Sequence, residues 1–277
     1  MAQNENPFNL PIYDGAQAPK IIHLLTDTHC HLDYLKSDDL AAIIQKANNN
    51  GIARMITISV SPENHQLVLA IAEKFEGIFC TQGIHPHQSK ESTPEVMRDI
   101  EKNLSHEKVV AVGEIGLDYH YNLSERDIQK KVFEEHLHLS IKYNLPVVIH
   151  SREADDDTQS IIKNFNGKVK GVIHSFTSSQ QLATFALDQG LYLGFNGIIT
   201  FKNAQNVRDV LLMTPVERVL IETDSPFLAP VPWRGRENTP ANIPWVAAHA
   251  LQLKKMEPIN FLTQIEKNAS DLFGINT

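Results

Sequence analysis

Eight short apolar runs punctuate this chain at near-regular intervals, at residues 21–27, 53–59, 78–82, 109–114, 146–150, 171–174, 191–195 and 218–222. The clearest, Val109-Val110-Ala111-Val112 and Val147-Val148-Ile149, are continuous rather than alternating, the pattern of strands buried on both faces. Parallel neighbours need a crossover between them, and the segments between the runs read as the helices that supply it. Eight strand–helix units predict an α/β fold closed into a (β/α)8 TIM barrel, although an open doubly wound sheet produces a similar alternation.

The helical segments expected are 38–50, 62–74, 94–103, 125–144, 155–165, 180–189 and 204–213, with 240–254 and 258–271 completing the wall. Ser61-Pro62 and Thr93-Pro94 each place a capping side chain before a first-turn proline, and Gly51, Gly77 and Gly190 follow helix ends. Residues 1–20 have no periodic apolar face and read as an N-terminal extension; residues 21–277 read as a single barrel domain. A chain of 277 residues suits that division, since such barrels run to about 250 residues in one domain.

Composition limits the partners. Hydrophobic residues at 42% and charged residues at 21% allow a sizeable core and argue against extended disorder. A formal charge of -8 rules out a basic coat, so a nucleic acid would have to be held through bound cations and local Lys or Arg groups. Two cysteines, Cys30 and Cys80, form no disulfide framework and no metal-binding CxxC pair. No apolar run reaches the ~18–20 residues of a membrane span, and the first residues lack a secretory pattern. The expectation is a cytoplasmic protein without a membrane partner, a monomer or weak oligomer.

Candidate metal ligands stand at the ends of the expected strands. His29 and His31 follow the first, Glu114 ends the fourth, His150 the fifth and His174 the sixth, and Asp224 follows the eighth. In Asp27-Thr28-His29-Cys30-His31 the histidines are two residues apart, so an extended backbone turns both imidazoles to one side, where they can share a divalent cation. In a parallel barrel all carboxyl-terminal strand ends open on one face, which collects every candidate. That distribution describes a metal-dependent hydrolase. His106, His120, His136, His138 and His249 read as surface or hydrogen-bonded core residues.

The segments DTHCHLD (27–33), GIHPH (83–87), GEIGLDYH (113–120), VFEEHLHLSIKYNLPVVIHSREA (132–154), HSFTSS (174–179), ETDSPFLAP (222–230) and RGRENTP (234–240) stand in the order found in TatD-type deoxyribonucleases, and the chain resembles that family over about residues 26–270. The resemblance implies a barrel of the amidohydrolase type that hydrolyses DNA with magnesium or manganese, commonly 3′→5′ from an end. It places His29, His31, Glu114 and Asp224 around one metal ion and Glu114, His150 and His174 around a second, with Glu114 as the bridge. Where the family often reads Cys-Phe-Ser/Thr-Gly after the sixth strand, this chain has Ser175-Phe176-Thr177-Ser178, a change that removes no ligand.

Two cations about 3.5–4 Å apart suit phosphodiester hydrolysis, because together they supply a nucleophile at neutral pH and compensate charge on the attacking and leaving oxygens. Glu114 and Asp224 are the expected catalytic residues, with Asp224 orienting the attacking water and accepting its proton. His85, Arg152 and Lys202 are the expected substrate contacts, with Arg234 and Arg236 as further phosphate candidates and Phe227 and Trp233 as stacking candidates. Mixed nitrogen and carboxylate ligands also suit zinc. The alternative is a metal-dependent ester or amide hydrolase, such as an aminoacyl-tRNA deacylase, since the same activated water can attack a carbonyl carbon.

Overall fold

The computed structural model describes residues 24–36 and 39–275; the N-terminal extension and the first three residues of the first expected strand lie outside the described residues. Eight strands, β1 (Leu25–Cys30), β2 (Ile52–Thr57), β3 (Ile78–Gln82), β4 (Val109–Asp118), β5 (Val147–Arg152), β6 (Gly171–Ile173), β7 (Tyr192–Phe195) and β8 (Val219–Ile221), pair in sequence order. Every ladder between neighbours is parallel. The crossovers carry α1 (Leu40–Asn49), α2 (His65–Lys74), α3 (Pro94–Asn103), α4 (Arg126–Tyr143), α5 (Asp155–Asn164), α6 (Gln180–Asp188) and α7 (Gln205–Met213). After β8 come α8 (Ile243–Lys254) and α9 (Pro258–Phe273). This is the expected (β/α)8 barrel.

The seam between β1 and β8 closes at the carboxyl-terminal end. Cys30 and Ser225 form a parallel bridge, with His31 N–H donating to the Ser225 carbonyl at 2.7 Å and Asp224 N–H to that of His29 at 2.9 Å. The Asp27 carboxylate accepts from Thr223 N–H at 2.9 Å, and Thr28 Oγ1 donates to the Ile221 carbonyl at 3.1 Å. These polar bonds explain why β1 runs on to Cys30 instead of stopping at residue 27: Asp27, Thr28 and His29 look like a strand end in sequence but find partners at the end of β8 and in the turn after it.

Alternate strand residues sort into two apolar layers. Ile56, Val148, Val172 and Leu220 cluster with Phe273 and Ile275 at the carboxyl end of the chain, whereas Ile149, Ile173, Leu193 and Ile221 belong to the cluster shared with the helices. The pairing of Arg54 on β2 with Glu266 on α9, reinforced by Thr26 Oγ1 donating to Glu266 Oε1 at 3.0 Å and Arg54 Nη1 to the Ile275 carbonyl at 3.3 Å, fastens the last helix to the first two strands. No helix among the described residues is long and apolar enough to cross a membrane.

Local signals mostly operate as read. Thr93 accepts from Val96 N–H at 3.2 Å, and Gly51, Gly77 and Gly190 all have positive φ after helix ends. The exception is Pro62, because α2 begins three residues later, at His65. The Asn64 side chain accepts from both Val60 N–H and Ser61 N–H at 3.0 Å and donates to Asp33 Oδ2 at 3.0 Å, which holds residues 60–64 as a folded loop.

Candidate metal centre

The first half of the site is built by β1 and the turn after β8. Their two-residue spacing brings His29 Nε2 and His31 Nε2 to 3.3 Å from each other. Asp224 sits at φ 56, a left-handed conformation held by its amide bond to β1, and its Oδ1 lies 3.4 Å from His31 Nε2 and 3.6 Å from His29 Nε2. Glu114 enters from β4 with Oε2 3.4 Å from His29 Nε2.

The second half gathers on the other oxygen of Glu114. Its Oε1 lies 2.8 Å from His174 Nε2, 3.0 Å from His150 Nδ1 and 3.3 Å from His85 Nε2. Glu114 stands at a register irregularity within β4, and β4 continues to Asp118 instead of ending at residue 114 as expected. Gly116 makes that continuation possible: it adopts φ +130, and a Cβ there would lie 2.0 Å from the His150 carbonyl oxygen. Glycine lets the strands carrying Glu114 and His150 come together.

Charge follows from this crowding. Burial raises the Glu114 carboxyl, but His174, His85 and His150 outweigh it and hold Glu114 well below the usual carboxylate range. Burial pushes His174 down, yet Glu114 and Glu222 hold it well above an ordinary imidazole. Burial likewise raises the Asp224 carboxyl, but His31, His29 and His174 outweigh it and hold Asp224 below its ordinary value. Burial pushes Asp27 up to about 8, outweighing the hydrogen bonds it accepts from Thr223 and His29. The groups His29–His31–Glu114, His29–His174–Glu222 and His85–Glu114–His150 each bring their donor atoms within 4.8 Å of one another, which fits one or more divalent cations that would replace the protons shared within the cluster.

All six ligands expected from the sequence therefore meet at this point. His85 comes to Glu114 directly, closer than its expected place as a substrate contact. Arg152 lines the mouth of a cavity of about 740 Å³ over the cluster, its guanidinium 4.8 Å from the centre of the Tyr121 ring. Phe227 and Tyr34 flank the same mouth, each packed on His31. Lys202 is exposed and does not line this cavity. Arg234 and Arg236 lie instead over Phe201 and Trp233, at 4.3 and 5.2 Å from the ring centres.

Two carboxylates escaped the sequence reading. Asp118 Oδ2 lies 3.0 Å from His150 Nε2, and Glu222 Oε1 lies 3.5 Å from His174 Nδ1 and accepts from Ser175 N–H at 2.6 Å. Each stands behind a candidate ligand, where a carboxylate orients an imidazole and raises its basicity. The available signal was alternation: Glu222 is two residues before Asp224 and Asp118 four after Glu114, on the inward side of their strands. A second cavity of about 870 Å³ adjoins at Arg152 and Thr177, but the first turn of α5 lines it with Asp155, Asp156 and Asp157, an unfavourable wall for phosphate.

Residues 26–274 match the family described as TatD related DNase. The chain belongs to that family. A metal-dependent hydrolase of Buchnera aphidicola (subspecies Baizongia pistaciae), itself uncharacterized, is 40% identical over 256 residues, 91% of this chain and 96% of that protein. The uncharacterized metal-dependent hydrolase YabD of Bacillus subtilis is 37% identical over 255 residues, 91% of this chain and all of that protein at 100%. The crystal structure of YjjV, a TatD homologue from Escherichia coli, superposes with a TM-score of 0.86 at 30% identity, covering 91% of this chain and 98% of that one. This TatD-family barrel is thus a metal-dependent hydrolase, with its histidine and carboxylate cluster at the carboxyl-terminal face.

Proposed function

We propose that this protein hydrolyses DNA phosphodiester bonds from a 3′ end, using two divalent cations, Mg²⁺ or Mn²⁺. The observation that carries the proposal is the division of Glu114: Oε2 faces His29 while Oε1 faces His150 and His174, the disposition of a carboxylate shared by two ions. Bound there, two ions would supply a nucleophile at neutral pH and compensate charge on both reacting oxygens. His29, His31, Glu114 and Asp224 would hold one, and Glu114, His150 and His174 the other.

The chain's own groups do the rest. Asp224, beside His31 and facing the cavity, accepts the proton released in the reaction. Arg152 makes a ring contact with Tyr121 and lines the same cavity, where its guanidinium would take a phosphate oxygen. Tyr34 and Phe227 offer exposed ring faces for an unpaired terminal base.

The test is digestion of end-labelled DNA by metal-stripped protein restored with Mg²⁺, Mn²⁺ or Zn²⁺ in parallel, beside charged tRNA and simple carboxylic esters. Shortening from the 3′ end is expected, with Glu114→Ala inactive and Asp224→Asn reduced by on the order of a hundredfold or more. Release of amino acid from tRNA with intact DNA would move the site to ester hydrolysis.

A further inference from the structure

The serine after His174 is held in place by polar groups from the ends of β7 and β8. Ser175 stands at φ 44, in the left-handed region, with its N–H donating to Glu222 Oε1 at 2.6 Å. The next residue is tied as well, Phe176 N–H donating to the Gly194 carbonyl at 2.9 Å. Glu222 reaches this place because residue 194 is glycine: a Cβ there would lie 2.5 Å from Glu222 Oε2. The backbone that carries the Ser175 hydroxyl is therefore fixed.

The hydroxyl is oriented by Asn196. This buried side chain, just after β7, accepts from Ile198 N–H through Oδ1 at 3.1 Å, and a backbone N–H can only donate, so Nδ2 is turned the other way. Nδ2 donates to Ser175 Oγ at 2.8 Å and lies 3.5 Å from Glu222 Oε1, a carboxylate oxygen that can only accept. Turning the amide round would set donor against donor and acceptor against acceptor. Ser175 Oγ is thus an acceptor from Asn196, and among the described residues its own hydrogen has no acceptor. Asn196 and Glu222 take the buried side of the serine; the side left is the cavity of about 740 Å³, which Ser175 lines.

We propose that Ser175 binds substrate, its hydroxyl donating to a non-bridging oxygen of the phosphoryl group being cleaved, and that Asn196 is the residue that positions it. Its neighbour His174 lies 2.8 Å from Glu114, so a donor here meets the reacting group and not a remote part of the substrate. That the oxygen belongs to a phosphoryl group rests on the phosphodiesterase reading; that Ser175 presents a donor to the cavity does not.

Orthophosphate is the first probe, because it presents the oxygens without turnover. Zn²⁺-loaded wild type, Ser175→Ala and Ser175→Cys, matched in zinc content, are titrated with it by calorimetry. Both variants keep the N–H that Glu222 holds, and a thiol is a weak donor, so affinity should fall about threefold to tenfold in Ser175→Ala and by less in Ser175→Cys. Asn196→Ala should weaken binding about twofold to threefold on its own and have no effect when added to Ser175→Ala, because it acts through the hydroxyl. Equal affinity in wild type and Ser175→Ala, or no phosphate binding to wild type, overturns the donor. An Asn196→Ala effect of the same size in both backgrounds overturns the positioning role.

Single phosphorothioate diastereomers at the scissile linkage of a short DNA strand then identify the oxygen. Sulfur accepts hydrogen bonds poorly, so for one diastereomer the ratio of oxygen to sulfur rates should be about threefold to tenfold smaller in Ser175→Ala than in wild type, the metal ion being the same in both. Ratios unchanged for both diastereomers overturn the contact with a non-bridging oxygen. If wild type cleaves no phosphodiester while the phosphate titrations divide as expected, the donor stands and the phosphodiesterase reading falls.

Discussion

Glu114 is the residue on which the centre turns, since each of its oxygens serves a different group of histidines. His31, His150 and His174 are all raised above the ordinary imidazole value, in each case because neighbouring carboxylates outweigh the burial that lowers them. An ion must displace those protons, so metal binding releases protons and weakens as pH falls through the raised values. Calorimetry in buffers of different ionisation enthalpy should therefore show net proton release per chain; no dependence on buffer at pH 7 would contradict the charge arrangement. His136, remote from this cluster, gives an opposite case. Its Nδ1 donates to the Val132 carbonyl at 2.7 Å, Nε2 is buried without a partner among the described residues, and burial lowers it to about 4. The unfolded chain takes up that proton first, so the penalty is absent above the ordinary value of 6.5, grows as pH falls below it and levels off below about 4. Between pH 7 and 5 wild type should lose about 2 kcal/mol more than His136→Leu in denaturant titrations.

At the scale of elements, the loop between β2 and α2 shows how one side chain replaces a turn of helix. Asn64 takes the amides of Val60 and Ser61 and leaves His65 to start α2. Val60 in turn accepts the His85 amide, so the loop also positions an imidazole of the site. Asn64→Ala leaves two amides without their acceptor and should cost about 2–3 kcal/mol by urea unfolding. A cost below about 0.5 kcal/mol would mean that the loop holds itself without Asn64. The same logic applies at β4 and β5, where Gly116 has to remain glycine for Glu114 and His150 to meet.

Across the whole molecule, closure depends on two distant joins. One is the β1–β8 seam at the carboxyl-terminal end, which also sets His29 and Asp224 against each other. The other is the Arg54–Glu266 pair at the opposite end, nearly buried and tied to Thr26 and Ile275. Breaking such a pair leaves an uncompensated charge, so Arg54→Met should cost about 3–5 kcal/mol, while the double variant Arg54→Met with Glu266→Leu should recover most of it. Equal loss in the single and double variants would assign the cost to packing alone. The measurement is the midpoint of denaturant unfolding at constant slope.

The barrel was legible in the sequence because eight apolar runs at Val109, Val147 and their counterparts record burial directly, and because helix ends are written in local residues such as Thr93 before α3 and Gly190 after α6. That the six candidate ligands would come together was legible for a related reason: strand ends in a parallel barrel share one face, and the spacing of His29 and His31 decides the direction of both rings. Tertiary structure alone decided that His85 joins the cluster, that Asp118 and Glu222 stand behind the candidate ligands, and that Lys202 stays away. It also moved the end of β1 and the start of α2. Apart from the start of α2, which Asn64 sets within four residues, the deciding bonds reach beyond the local pattern, 32 residues from His150 to Asp118 or 196 from Thr223 to Asp27, and a pattern of burial carries no record of which polar partner will be waiting there.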